Sequence, residues 1–427
     1  MNIHFEELAA PQRAGGIDAV TRELVAHLRA TGVNVNRSSE QEAIGLPDCV
    51  HLHGIWAPQL VRRFRVWSSR GVPCVVSPHG MLDPWALSHK WFKKKVAWHM
   101  YQKRLLDRAV LLHGASERET RQFKTLRLKP PKALIPWGVS LPPAGAARPD
   151  HPRPRIALFV GRVYPVKGLP MLVEAWARVR PAGWKMKIVG PDEAGHRAEV
   201  ESLVRKAKLE ADFDFAGPLQ AEALRDAYES AGLFIQPSYT ENFGMAIAEA
   251  MSHSLPVVTT TGTPWSMLPE RGCGWWVAPT VDQIAEVLST ATALDDKTLR
   301  AMGTRGREVV SSEFSWRQAA NKMKSVYEWV LGRGPKPECV VGIPYLPQVY
   351  DDLRKATFPG EKYDAEATTS RVSTYCREIG IGFVDTQTPL RSKHQQTGRW
   401  LHFHKDAHPT VEGHQVIAEA ILTSRLI

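Results

Sequence analysis

The chain has 427 residues, with 55 Lys and Arg against 44 Asp and Glu, a formal net charge of +11. At about 150 residues per domain this length accommodates two to three domains. With 43% apolar and 23% charged residues, the composition is globular and excludes wholesale disorder, collagen-like repeats and disulfide-stapled mini-proteins. No apolar run reaches the ~18 residues that a membrane span needs. Residues 1–15 include Glu6 and Glu7 and lack the apolar core of a secretory leader, so none is expected. Cys49, Cys74, Cys273, Cys339 and Cys376 show no CxxC or metal-ligand spacing. Reduced thiols in a cytosol are expected, and a zinc site is not.

Residues 1–140 alternate short apolar runs with helical patterns. Asn2–Leu8, Cys49–His53 and Pro73–Ser77 read as strands, and Ile17–Ala30 as a helix. A linker is expected over 136–155, which holds six prolines. A second series follows, with strands at Ile156–Val160, Lys185–Val189, Phe213–Ala216, Leu233–Gln236 and Pro256–Thr259, and a closing helix at Trp316–Leu331. Residues 332–337 (GRGPKP) form a second linker, and 338–427 a short third piece. The fold class is therefore α/β, with two Rossmann-like domains, 1–140 and 141–332, and a partial α/β segment. The last helix of the second domain is a candidate to pack back on the first. If the two sheets face one another, a ligand sits between the carboxyl ends of their strands.

Several motifs fall at those ends. Gly15-Gly16 opens the first helix, where adjacent glycines permit positive φ and let N–H groups approach a phosphate; an ordinary tight turn reads the same way. In Val160–Gly168 (VGRVYPVKG) a strand ends and Arg162 and Lys167 project from a loop, a pair able to neutralise a diphosphate. The spacing is not that of a Walker loop. Glu241–Glu249 (ENFGMAIAE) begins beyond strand Leu233–Gln236. Phe243, Ile247, Ala250 and Met251 make an apolar stripe, which leaves Glu249 beside it and Glu241 ahead of the helix. At 1.5 Å rise per residue the carboxylates are on the order of 10 Å apart. That is too far for a shared-proton dyad and fits two ends of one elongated ligand. Asn242, Phe243 and Gly244 offer N–H donors at the helix start.

These pieces, together with FDFAG at 213–217, PSYTENFGMAIAEAMSHSLPVV at 237–258 and Thr263-Pro264-Trp265, resemble family 4 of the retaining glycosyltransferases, of two-Rossmann GT-B fold, over roughly residues 1–332. The resemblance implies that Arg162 and Lys167 hold the donor diphosphate, that Glu249 binds ribose hydroxyls, and that Glu241 contacts the transferred sugar beside backbone N–H groups of Phe243 and Gly244. It places His79, in VVSPHG, near the anomeric centre; His51 and His53 are weaker candidates, and each would serve equally as a structural histidine. It further implies a nucleotide-sugar donor, a lipid-linked or saccharide acceptor, surface-polysaccharide synthesis, retention of configuration by same-face attack, and no metal or cofactor. Trp137 and Ser254 depart from the family, which often has Asn and Gly there. Asp212-Phe213-Asp214 spells the metal-binding DxD of GT-A enzymes, but its alternation with Phe215 fits a half-buried strand.

Residues 61–110 hold eleven Lys and Arg against Asp83 and Asp107. Within them, 89–110 mixes Trp91, Phe92, Trp98 and Met100 with Lys93, Lys94 and Lys95, a candidate helix for an anionic membrane surface on the cytoplasmic side. The alternative is a helix packing its aromatics into the first domain. No nucleic-acid motif is present. Finally, 380–390 and 405–414 resemble the end of an SGNH hydrolase or acyltransferase, which would pair Asp406 with His408. The required Gly-Asp-Ser element is missing, so an inactive remnant is expected. Ester hydrolysis or acyl transfer by this segment, or nucleotide-sugar binding without catalysis, are the alternative functions.

Overall fold

A computed structural model describes residues 1–7, 15–38, 45–142 and 154–341. Two parallel sheets organise it. The first joins β1 (Asn2–Glu6), β2 (Asn34–Arg37), β3 (Cys49–His53), β4 (Cys74–Ser77), β5 (Leu111–Gly114) and β6 (Lys132–Leu134) in the order 2-1-3-4-5-6. The second joins β7 (Ile156–Val160), β8 (Lys185–Val189), β9 (Phe213–Gly217), β10 (Leu233–Gln236), β11 (Val257–Thr260) and β12 (Gly274–Val277) in the order 9-8-7-10-11-12. Most of these strands are continuous apolar runs because crossover helices cover both faces. β3, β4, β5, β10 and β11 are buried along their whole length.

The strand order reverses beside β1 in the first lobe and between β7 and β10 in the second. Loops on either side of such a point run in opposite directions and leave a crevice at the carboxyl ends of the strands. The fold is thus the α/β, two-domain arrangement expected, with both crevices opening on one cavity.

Two features join the lobes behind it. Helix Trp316–Val330, capped by Ser315 and Gln318 in a reciprocal box, packs on helix Gly15–Ala30 of the first lobe. Lys324 Nζ donates to Thr31 O at 2.9 Å. Val139 forms a bridge with Ser315, and Gly138 lies so close that a Cβ there would sit 2.4 Å from Trp316 N. β13 (Val340–Val341) then pairs antiparallel with β6. These two residues, expected in the separate last segment, extend the first sheet, because β6 presents an edge that takes a further strand. Asp406 and His408 lie outside the described residues.

Candidate functional site

The second-lobe half of the site is built at the switch between β7 and β10. After Val160 the chain turns through Gly161 and Arg162 into a 3-10 turn, Pro165–Lys167. Gly168 follows with φ +69°, and a Cβ there would lie 2.2 Å from Pro237 O. The loop leaving β7 is therefore packed directly on the loop leaving β10. This close approach brings Lys167 Nζ within 2.6 Å of Glu241 Oε1. The same oxygen accepts from Ser238 Oγ at 2.7 Å and Gln236 Nε2 at 3.0 Å. Burial pushes the Glu241 carboxyl up, but Lys167 and these two donors outweigh it and hold it below the usual range.

Glu249 sits one helix over, in Met245–Ser252, and accepts from Tyr228 Oη at 2.8 Å. Burial raises its pKa, opposed only by that hydrogen bond. Arg162, on the cavity wall, ion-pairs with Glu193, and its guanidinium lies 5.7 Å over the Tyr164 ring. Both members of the Arg162–Glu193 pair are more than a third exposed, so solvent screens it.

The first-lobe half rests on a buried chain of polar groups. His113 Nε2 is 2.8 Å from Ile135 O. A carbonyl can only accept, so this nitrogen carries the proton and His113 Nδ1 is an acceptor. Ser77 Oγ, 2.7 Å away, then donates to it. Ser77 Oγ in turn accepts from His51 Nε2 at 2.7 Å, which leaves His51 Nδ1 to accept from Tyr327 Oη at 2.6 Å. The network thus runs one way, Tyr327 to His51 to Ser77 to His113 to Ile135. It keeps both histidines neutral: burial lowers His51 well below its ordinary value and brings His113 to about 4 despite the Ile135 bond.

His79 lies on this base. Its Nε2 is 3.0 Å from His53 Nδ1, and its ring stacks on Trp137 at 5.4 Å and 9°. Burial, with His113 nearby, lowers its pKa to about 3, so His79 acts as a neutral hydrogen-bonding ring. Trp137, where the resembling family often has Asn, closes the wall under it. His79 takes φ +54° and Gly80 φ +75°, a left-handed pair that turns the chain sharply after β4.

The lobes meet around this turn. Asp83 Oδ2 accepts from Thr240 Oγ1 of the second lobe at 3.0 Å and from Arg118 Nε at 3.3 Å. Arg118 Nη1 reaches Gly262 O at 3.3 Å. Glu119 accepts from Gly80 N at 2.7 Å and Ala115 N at 2.9 Å, and Gly80 packs closely against Asn242 of the second lobe. Burial raises Glu119 to about 7 against these donors.

Between the lobes lies a cavity of about 670 Å³, of the size that takes a small organic ligand. Gly16, His79, Arg162, Lys167, Glu241, Phe243, Gly244 and Glu249 all line it. Gly15 is the first residue of the helix whose next residue, Gly16, reaches the wall. Gly16 is not in a left-handed conformation, contrary to the expectation for the pair. It sits in the first helical turn, and a Cβ there would meet nothing within 4 Å, so its small size leaves the wall open. His51 and His53 are buried beneath the site. Asp83, Arg118, Glu119 and Tyr228 were not foreseen. The S-x-x-E spacing of Ser116 and Glu119 signals a helix start, yet the Glu119 carboxylate leaves the cap for the Gly80 turn.

Away from the cavity, 89–110 combines helix Trp91–Ala97, a π turn Trp98–Gln102 and helix Lys103–Leu106. Leu105 and Leu106 are buried, whereas Trp91, Phe92 and Met100 are 60%, 64% and 68% exposed. One end packs into the lobe and the other faces outward. Asp212 precedes β9, in which Phe213 is buried and Asp214 exposed. No helix among the described residues is long and apolar enough to cross a membrane.

Residues 45–138 match the glycosyl transferase 4-like domain, and residues 146–309 match glycosyl transferases group 1. The chain is 27% identical to D-inositol 3-phosphate glycosyltransferase of Mycolicibacterium smegmatis, over 43% of this chain and 43% of that protein. It is 31% identical to GDP-mannose:cellobiosyl-diphosphopolyprenol alpha-mannosyltransferase of Komagataeibacter xylinus, over 42% of this chain and 46% of the relative. In both cases the chain spans less than half the length of the relative. The fold superposes on Anabaena HepE in complex with UDP-glucose with a TM-score of 0.60 and 18% identity, covering 77% of this chain and all of the other. The two matched domains lie one in each lobe: the chain is similar in sequence to the group 1 and 4-like glycosyl transferases, and its two-lobed α/β fold is the GT-B fold.

Proposed function

We propose that this protein transfers a sugar, with retention, from a nucleotide-sugar donor to a lipid-linked or saccharide acceptor in cell-surface polysaccharide synthesis. The observation that carries the reading is the convergence of Arg162, Lys167, Glu241 and Glu249 on one interlobe cavity that also presents His79. Glu249, held by Tyr228, takes the ribose hydroxyls. Lys167 and Arg162 take the diphosphate, whose charge draws them from Glu241 and Glu193. Glu241, fixed by Ser238 and Gln236, contacts the sugar, with N–H groups of Phe243 and Gly244 alongside.

Breaking the sugar–phosphate bond develops negative charge on the diphosphate and oxocarbenium character on the sugar. Preorganised cations and N–H donors stabilise that charge, and one such donor is typically worth ~3–4 kcal/mol. His79, neutral because burial depresses its pKa, donates or accepts a hydrogen bond without adding charge at the anomeric centre. The acceptor attacks the face that the diphosphate leaves, and no covalent intermediate is invoked. No metal or cofactor takes part. Acceptors named for the Komagataeibacter relative, a sugar on diphosphopolyprenol, and the donor bound by HepE support the substrate classes. A cytoplasmic location on the inner membrane face, through the outward Trp91, Phe92 and Met100 beside Lys93 and Lys95, completes the reading.

The experiment is a donor-turnover assay with a polyprenyl-diphosphate-sugar acceptor. The wild type turns over at least one nucleotide sugar, and loss of turnover in Glu241→Ala and Lys167→Ala supports the reading. Unchanged turnover in both variants defeats it.

A further inference from the structure

Glu119, like Asp83, is a first-lobe carboxylate at the seam between the two halves of the cavity. Its helix, Glu117–Thr125, starts at Ser116, whose side chain accepts the Glu119 N–H at 3.2 Å. In a full capping box the Glu carboxylate would return to the Ser116 N–H. Here one oxygen takes the N–H of Gly80, next to His79, and the other that of Ala115. From the opposite lobe, Asn242 packs against Gly80, the residue whose N–H Glu119 holds. Asn242 lies between Glu241 and Phe243, in the loop that lines the cavity. The fit is tight: a Cβ on Gly80 would stand 2.9 Å from Asn242 Cβ.

We infer that Glu119 is a positioning residue that couples the His79-Gly80 turn of the first lobe to the 241–244 loop of the second. Donor affinity then depends on a first-lobe side chain acting through Asn242. This rests on the donor reading above, but the coupling itself does not require a ligand. Glutamine is the informative replacement. It keeps one acceptor oxygen and turns an NH2 toward Gly80 or Ala115, where an acceptor is needed.

The test is hydrogen exchange on the ligand-free full chain, with calorimetry of UDP, GDP and ADP. In Glu119→Gln, amides of residues 242–246 exchange about tenfold faster or more, while those of helix Val281–Ala293, which belongs to another apolar core, keep their rates. Asn242→Ala, which leaves the first-lobe helix untouched, accelerates the Gly80 region reciprocally. In Glu119→Gln/Asn242→Ala the effects do not add. Whichever nucleotide binds the wild type binds Glu119→Gln about tenfold more weakly. Unchanged exchange at 242–246, additive effects, acceleration throughout the second lobe, or unchanged nucleotide affinity each overturns the inference. If the wild type binds none of the three nucleotides, the donor reading fails and the exchange experiment alone decides the coupling.

Discussion

Lys167 and Glu241, 74 residues apart, form an ion pair of 2.6 Å on the wall of the interlobe cavity, each only 14% exposed. The pair stands where β7 and β10 diverge, and Gly168 packed on Pro237 O fixes the approach. Lys167→Ala leaves Glu241 buried with Ser238 and Gln236 as its remaining partners. Its pKa then rises, since the largest opposing influence on its burial is gone. The expected outcome is a loss of kcat/KM of about a hundredfold or more, with a lower melting temperature. Lys167→Met, which keeps much of the side-chain bulk, should lose activity equally; near-wild-type turnover in it would show that the charge is not used.

Stability should fall in acid because of the histidine base. His79 and His113 titrate near 3 and 4 in the folded chain, against about 6.5 unfolded. Between those values the unfolded state binds more protons, so unfolding free energy rises with pH up to about 6.5 and is lost as pH falls toward 4. His113 alone contributes on the order of 3 kcal/mol across that window. Denaturant melts at pH 7 and pH 5 check this: His113→Gln should flatten the dependence, and an equal pH slope in the variant would contradict the buried neutral assignment.

Ser254 adopts φ +56°, in the turn where the resembling family usually has Gly. A non-glycine residue pays about 1 kcal/mol for that conformation. Ser254→Gly should therefore raise the unfolding free energy by roughly that amount, less the entropy glycine adds to the unfolded chain, without changing turnover. Urea denaturation measures it; a destabilised variant would mean that the serine side chain's own contacts outweigh the strain.

The outward end of 89–110 should bind anionic vesicles. Trp91→Ser/Phe92→Ser and Lys93→Glu/Lys95→Glu should each weaken co-sedimentation with phosphatidylglycerol vesicles by about tenfold, because apolar insertion and charge act together. Neutral phosphatidylcholine vesicles should bind weakly in every case. Equal binding of wild type and both variants would remove this surface from the account.

Much of the scaffold was legible because parallel strands are short, apolar and regularly spaced: β3, β7, β8 and β10 have the ends read from sequence. Glu241 and Glu249 were legible because the apolar stripe of helix Met245–Ser252 leaves Glu249 beside it and Glu241 ahead of it. What was not legible depends on pairing across the fold. Nothing local says that Glu119 abandons its cap for Gly80, or that Lys167 spends the unliganded state on Glu241. The histidines of β3 show the same limit. Their sequence, VHLHG, allows a catalytic or a structural role, and only the partners Tyr327 and Ser77 make His51 structural. Tyr327 lies 276 residues away, beyond any local signal.

The most direct test is a thermal-shift panel of UDP-, GDP-, ADP- and TDP-sugars in EDTA, on wild type, Lys167→Ala and Glu249→Ala. A donor at a hundredfold excess over its dissociation constant stabilises by about 2.7 kcal/mol. The account predicts that at least one nucleotide sugar raises the wild-type melting temperature without metal and that either substitution abolishes the rise. No shift with any of the four, or a shift that both variants retain, would contradict it.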